Sequence, residues 1–107
     1  MLTHPLKLVT IIAEPVLEIR ITQELRGLGA AGFTVIECRG QGSRGLHATE
    51  LPDVKIRIES IVSSVVAERI VEHIASHYFG DYSLIAFTSD VAVVRGEKYM
   101  TLTPEHA

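Results

Sequence analysis

The chain reads as an α+β domain in which two helices cover one face of an antiparallel sheet, in the order β-α-β-β-α-β. Three observations predict it. Two segments carry apolar residues at helical spacing, several short segments carry the runs or alternations of strands, and the helices follow the first and third strands rather than each other. This is the split βαβ, or ferredoxin-like, arrangement.

Leu6 to Ala13 (LKLVTIIA) is short, apolar and rich in β-branched residues, so it reads as a buried strand that Glu14-Pro15 ends. Pro15 suits the first turn of a helix. From Val16, the residues Leu17, Ile21, Leu25 and Leu28 recur at helical spacing opposite Glu18, Arg20, Gln23 and Glu24, until Gly27 or Gly29 stops the helix. Phe33 to Arg39 (FTVIECR) favours a strand, with Thr34, Ile36 and Cys38 on one face and Phe33, Val35 and Glu37 on the other. Asp53 to Ser60 alternates strictly, Val54, Ile56 and Ile58 against Lys55, Arg57 and Glu59, which predicts a strand with one wet face. Ser63 or Ser64 can cap a second helix with the stripe Val66, Ile70, Ile74 and Tyr78, ended by Gly80-Asp81. Leu84 to Thr88 and Val91 to Val94 are extended, with a turn or bulge expected at Ser89-Asp90 and room for a short fifth strand.

With 107 residues there is space for one domain, expected to span 1–107, with a flexible loop at 40–52 and a disordered tail at 101–107. Hydrophobic residues make up 47% and charged residues 21%, a globular composition. There is no Trp, and only three Phe and three Tyr, so the core must be aliphatic. The second sheet face, part apolar and part polar, either meets water or meets another subunit. A net charge of −3 without a Lys run argues against nucleic acid as partner. The ten basic residues are nonetheless weighted toward Arg, the type suited to forked contacts with phosphate or carboxylate. One cysteine, Cys38, excludes an intramolecular disulfide and suits the reducing cytoplasm, and no apolar run is long enough to span a bilayer.

Two stretches spell G-x-G-x-x-G, but neither lies between a strand and a following helix as a dinucleotide fingerprint requires. Gly27 to Gly32 follows a helix and is a helix stop. Gly40-Gln41-Gly42-Ser43-Arg44-Gly45 lies between two strands and carries the strongest chemical signal in the chain. Arg39, Ser43, Arg44 and His47 sit among its glycines, where backbone N–H groups can form an anion nest and guanidinium groups can close over phosphate or carboxylate. The plain alternative is a flexible hairpin loop. His73 and His77, spaced i, i+4, are compatible with zinc but lack an identifiable third ligand, so ordinary surface histidines are the simpler reading. Enzyme signatures are sparse. There is no G-x-S-x-G elbow, and the absence of any Asn weighs against the small acyl-phosphate hydrolases of this topology. RNA binding in the RRM manner needs aromatics on the central strands, which are missing.

The run Gly32-Phe33-Thr34-Val35-Ile36-Glu37-Cys38-Arg39-Gly40-Gln41-Gly42-Ser43-Arg44-Gly45, with His47, Thr49 and Glu50 beyond, resembles the PII signalling-protein family. Leu51 to Glu59 looks like that family's third strand, and Gly80-Asp81 and Arg95-Gly96-Glu97 resemble its later signatures. The resemblance implies a homotrimer with adenine nucleotides in clefts between subunits. Thr34 would lie near the adenine. Arg39, Gly40, Gln41, Gly42, Ser43, Arg44, Gly45 and His47, with Gly80, Asp81 and Arg95, would surround the phosphates.

The departures from the family pattern are informative. The long recognition loop is shortened to about Leu46–Pro52 and lacks the modified Tyr, Tyr82-Ser83 stands where Gly-Lys is usual, and one Arg survives near Arg95 where two are usual. Two missing charge-assisted contacts to a polyphosphate cost on the order of 3 kcal/mol, about a hundredfold in affinity. AMP or ADP is therefore expected in preference to ATP, as a regulatory ligand of a non-enzymatic protein. The pattern is most similar to short-loop PII-like proteins of inorganic carbon metabolism. That similarity implies bicarbonate as a co-ligand and a bicarbonate transporter or carboxysome component as target. A small trimeric enzyme acting on a phosphorylated substrate, and a metal-tolerance-type trimer, are the alternatives.

Overall fold

The computed structural model describes residues 3–40 and 53–94. The elements are β1 (His4–Ala13), a 3-10 turn (Pro15–Leu17), α1 (Glu18–Leu28), β2 (Thr34–Gly40), β3 (Asp53–Val62), α2 (Ser64–Tyr78) and β4 (Ile85–Val93). The strands form one antiparallel sheet in the order β2-β3-β1-β4, the expected ferredoxin-like arrangement. The loop expected at 40–52, beyond Gly40, and the tail at 101–107 lie outside the described residues.

The most apolar strand takes the centre of the sheet. In β1 the side chains of Leu6, Val9, Thr10, Ile11 and Ala13 are all buried, and Ile11 is paired with Ile58 on one side and Ala86 on the other. Val9, Ile11, Ala13, Ile56, Ile58 and Val62 line the helix-covered face and meet Leu17, Ile21 and Leu25 from the first helical segment. From α2, Val66, Ile70, Ile74 and Tyr78 complete this layer, the stripe that the spacing predicts. The core is aliphatic around one exception. Tyr78 is the largest fully buried side chain among the described residues.

Local signals set the ends of the helices. Pro15 opens the 3-10 turn, where its missing N–H costs no hydrogen bond, and Leu17 N–H donates to the Glu14 carbonyl at 3.0 Å. Gly29 ends α1 with φ of 111°, in the left-handed region that residues with a Cβ adopt only under strain. Ser63 caps α2, its hydroxyl accepting from Val66 N–H at 3.3 Å.

One expectation fails. β4 runs unbroken from Ile85 to Val93, with no turn at Ser89-Asp90. Ser89 pairs with Leu8, Asp90 pairs with Lys7, and the Asp90 carboxylate forms an ion pair with the Lys7 ammonium. On an exposed edge strand, polar residues can stay in the ladder because one side of it faces solvent.

Among the described residues, no helix covers the opposite sheet face. Its register rows are Ile36, Arg57, Ile12 and Ile85, then Thr34, Glu59, Thr10 and Phe87. Three of the four row ends are apolar and open to solvent, with Ile36 at 42%, Ile85 at 56% and Phe87 at 41% exposure, and the fourth is Thr34. Thr10 is fully buried in this face, yet its Oγ1 has no hydrogen-bond partner. Such a group is uncommon in native interiors.

Candidate functional site

Among the described strands β2 is the shortest and lies at an edge, and both properties shape the candidate site. Its pairing with β3 begins at Thr34, opposite Glu59, so Ser60 and Ile61 extend past it without a strand neighbour on that side. The gap is a cleft of about 270 Å³ that includes Thr34, Phe33, Gly32, Glu59, Ser60 and Leu8 in its walls. The Ser60 hydroxyl donates to the Gly32 carbonyl at 2.7 Å and pins the floor. Arg57 Nε holds Glu59 Oε2 at 3.0 Å, and the Arg26 guanidinium lies 5.3 Å from the centre of the Phe33 ring. Complete small-molecule sites run to roughly 300–1,000 Å³, so this cleft is the size of a partial one.

Arg39 and Gly40 close the other end of β2, where Gly40 pairs with Asp53. At about 3.3 Å per residue they stand roughly 20 Å from Thr34 along the strand. Gly80 and Asp81 form the turn after α2, at the same end of the sheet as Gly40 but leading into the opposite edge strand, β4. One chain therefore does not gather Thr34, Gly40 and Gly80 into a single pocket. Gln41, Gly42, Ser43, Arg44, Gly45, His47 and Arg95 lie outside the described residues.

Gly40 and Gly80 share a second property. A Cβ added at either would meet no atom within 4 Å, and neither has a positive φ. Gly27 and Gly32 have the same free space, so among the described residues this room does not distinguish the two positions.

A polar cluster between α1 and α2 was not apparent from spacing alone. Glu24, which the helical pattern sets opposite the apolar stripe, faces α2 instead. Its Oε1 accepts from the Tyr78 hydroxyl at 2.6 Å and from His73 Nε2 at 2.9 Å, and its Oε2 lies 3.6 Å from Arg20 Nε. The Arg20 guanidinium sits 4.8 Å from the centre of the Tyr78 ring. The available signal was a Tyr in an apolar stripe, since a buried phenol needs a hydrogen-bond partner. His73 and His77 stack with ring centres 4.1 Å apart. His73 Nε2 is held by Glu24 and His77 Nδ1 lies 2.9 Å from the His73 carbonyl, so those nitrogens do not converge on a common point. Among the described residues, no group of three or more His, Cys, Asp or Glu could hold a metal ion.

Burial pushes the Glu24 carboxyl up, but the hydrogen bonds from Tyr78 and His73 and the positive charge beside it outweigh burial, so it titrates below its ordinary value of 4.5. Burial, then the Glu24 carboxylate, push the Tyr78 phenol up, which keeps it a donor. A carboxyl with a lowered folded pKa contributes stability above its unfolded pKa and loses it as pH falls through the folded value. Thermal unfolding of the wild-type protein and of Glu24→Gln between pH 6 and pH 3 checks this. The wild-type melting temperature is expected to fall more steeply below about pH 4.5; parallel curves would contradict the assignment.

A four-stranded antiparallel sheet with two helices on one face defines a ferredoxin-like domain. Residues 6–98 match the family model for the nitrogen regulatory protein P-II, and the chain belongs to that family. It is similar to a protein from Thermus thermophilus assigned as PII-like signalling, with 48% identity over 92% of this chain and 99% of that one, at a TM-score of 0.80. CPII from Thiomonas intermedia, in a structure with ADP, AMP and acetate, is 27% identical over 92% of this chain and 98% of that one, also at 0.80. A further CPII structure, bound to ADP, AMP and bicarbonate, is 26% identical over 87% of this chain and 97% of that one, at 0.76. Among the described residues, no helix is long and apolar enough to cross a membrane.

Proposed function

We propose that this chain is a non-enzymatic signalling protein that binds adenine nucleotides, AMP or ADP in preference to ATP, between the subunits of a homotrimer. The observation that carries this reading is the division of the predicted contact residues. Thr34 and Gly40 lie on one edge strand, while Gly80 and Asp81 lead into the other. In a ring of chains the β2 edge of one copy comes beside another copy, and the partial cleft at Thr34 is completed there. The exposed apolar side chains of the bare sheet face, Ile36, Ile85 and Phe87, supply surface for that contact. Arg39, Gln41, Gly42, Ser43, Arg44, Gly45 and His47, together with Arg95, are the phosphate-side contacts.

The structures of CPII with ADP, AMP and bicarbonate support the ligand class. We extend it to bicarbonate as a co-ligand and to a role in inorganic carbon metabolism in the cytoplasm, with a bicarbonate transporter or a carboxysome component as target. Ordering a loop costs roughly 1–2 kcal/mol per residue, and bound phosphate at the base of the segment from Gly40 to Pro52 offsets part of that cost. Ligand occupancy is thereby converted into a change of the target-binding surface.

Calorimetric titration with AMP, ADP and ATP, each with and without bicarbonate, is the test. The expected result is saturable heat with AMP and ADP, with ATP about a hundredfold weaker. Absence of heat with all three refutes the reading, and steady nucleotide turnover would favour the enzyme alternative.

A further inference from the structure

Tyr78 is the joint between the helical layer and the turn that carries Gly80 and Asp81. It is the last residue of α2, where the helix has run out of partners for its carbonyl groups. Its carbonyl accepts from Asp81 N–H at 3.1 Å and from Tyr82 N–H at 2.9 Å, so both backbone bonds of the turn converge on one atom. Its ring is fully buried, and the Tyr82 ring packs against it with centres 5.8 Å apart. Its hydroxyl is anchored on α1 by the 2.6 Å bond to Glu24, and the His73 and Arg20 contacts orient that carboxylate. Phe79, Gly80 and Asp81 themselves are exposed.

A helix terminus with an exposed turn ordinarily frays. Here the side chain of the terminal residue is tied to another helix, and its backbone is tied to the turn. Displacing the ring moves the carbonyl that holds the turn.

We propose that Tyr78 and Glu24 are positioning residues for nucleotide binding: their hydrogen bond holds the turn between α2 and β4 in the geometry with which the exposed backbone at Gly80 meets the distal phosphate. This rests on the functional reading above, in which that turn lies on the phosphate side. The α1 to α2 contact thereby sets the discrimination between a nucleoside diphosphate and a monophosphate, because the two differ at the phosphate the turn would reach.

The test uses Tyr78→Phe, which keeps the buried ring and removes only the hydroxyl, with Glu24→Ala and Glu24→Gln alongside. ADP and AMP affinities are measured by calorimetry, and amide exchange of the unliganded proteins is followed by NMR. Tyr78→Phe is expected to weaken ADP about tenfold and AMP less than about twofold, the scale of one hydrogen bond to a charged group. Glu24→Ala should behave likewise. Glu24→Gln retains an oxygen acceptor for Tyr78 and should return ADP affinity to within about twofold of wild type. In Tyr78→Phe the amides of Asp81 and Tyr82 should exchange about tenfold faster while those of Ile70 and Ile74 are unchanged.

Unchanged ADP affinity in Tyr78→Phe, or an equal loss for ADP and AMP, overturns the positioning role while leaving the nucleotide reading intact. Wild-type protein that binds neither nucleotide overturns both. Unchanged exchange at Asp81 and Tyr82 overturns the strut without reference to any ligand.

Discussion

Phe87→Asp is expected to convert the proposed homotrimer to monomers and to abolish nucleotide binding in the same step. Phe87 lies on the bare face of the sheet, in register with Thr10, and is 41% exposed in the single chain. A carboxylate carried into an apolar contact without a partner costs several kcal/mol, and a closed ring repeats that cost at every subunit. The fold itself should survive, because the hydrophobic core is on the other face, where Ala86 and not Phe87 packs against it. Sedimentation measures the mass, circular dichroism the fold, and calorimetry the binding. A variant with unchanged mass removes the bare sheet face as the subunit contact; monomers that bind ADP as tightly as the wild-type protein remove the site between subunits.

Arg44→Ala should weaken ADP binding at least tenfold and leave the assembly intact. A forked guanidinium contact to phosphate contributes roughly 1.5–3 kcal/mol, so its loss spans about ten- to a hundredfold. Arg44 belongs to the glycine-flanked stretch of sequence between β2 and β3, and the expected loss is confined to binding, with mass and melting temperature unchanged. Equal affinity in the variant would remove this loop from the phosphate site. The two variants separate the requirements: one tests the surface that assembles the subunits, and the other tests a contact within the assembled cleft.

The residue patterns that proved most informative were those governed by a single local rule. Alternation in β3 separated Ile56 and Ile58, which are buried, from Lys55, Arg57 and Glu59, which are not, because neighbouring side chains of a strand point to opposite faces. The stripe Val66, Ile70, Ile74 and Tyr78 is buried along its whole length. Where two rules competed, the local one lost. Ser89-Asp90 has the composition of a turn, but the ladder with β1 and the pairing of Asp90 with Lys7 keep it extended. Glu24 belongs to the polar side of α1 by periodicity, yet α2 crosses near enough to bring the Tyr78 hydroxyl to its carboxylate. No spacing within α1 could reveal that contact, since its partner is 54 residues away.

The candidate site divides in the same manner. The glycines and arginines between Arg39 and Gly45 announce anion chemistry from composition, because an exposed N–H nest and guanidinium groups require only those residue types in sequence. The edge-to-edge separation of Gly40 from the turn at Gly80 is a property of strand order, which no run of residues encodes by itself.

From its sequence alone, this protein is determined to be a small α+β domain with an aliphatic core and a basic, glycine-flanked loop, since patterning and local backbone preference act over a few residues. The tertiary structure decided which face of the sheet the two helices cover, that β2 and β4 are the edges of the described sheet, and that the α2 end is tied to α1 through Tyr78 and Glu24. Those outcomes depend on contacts between segments far apart in the chain, and such contacts exist only once the strands have taken their order.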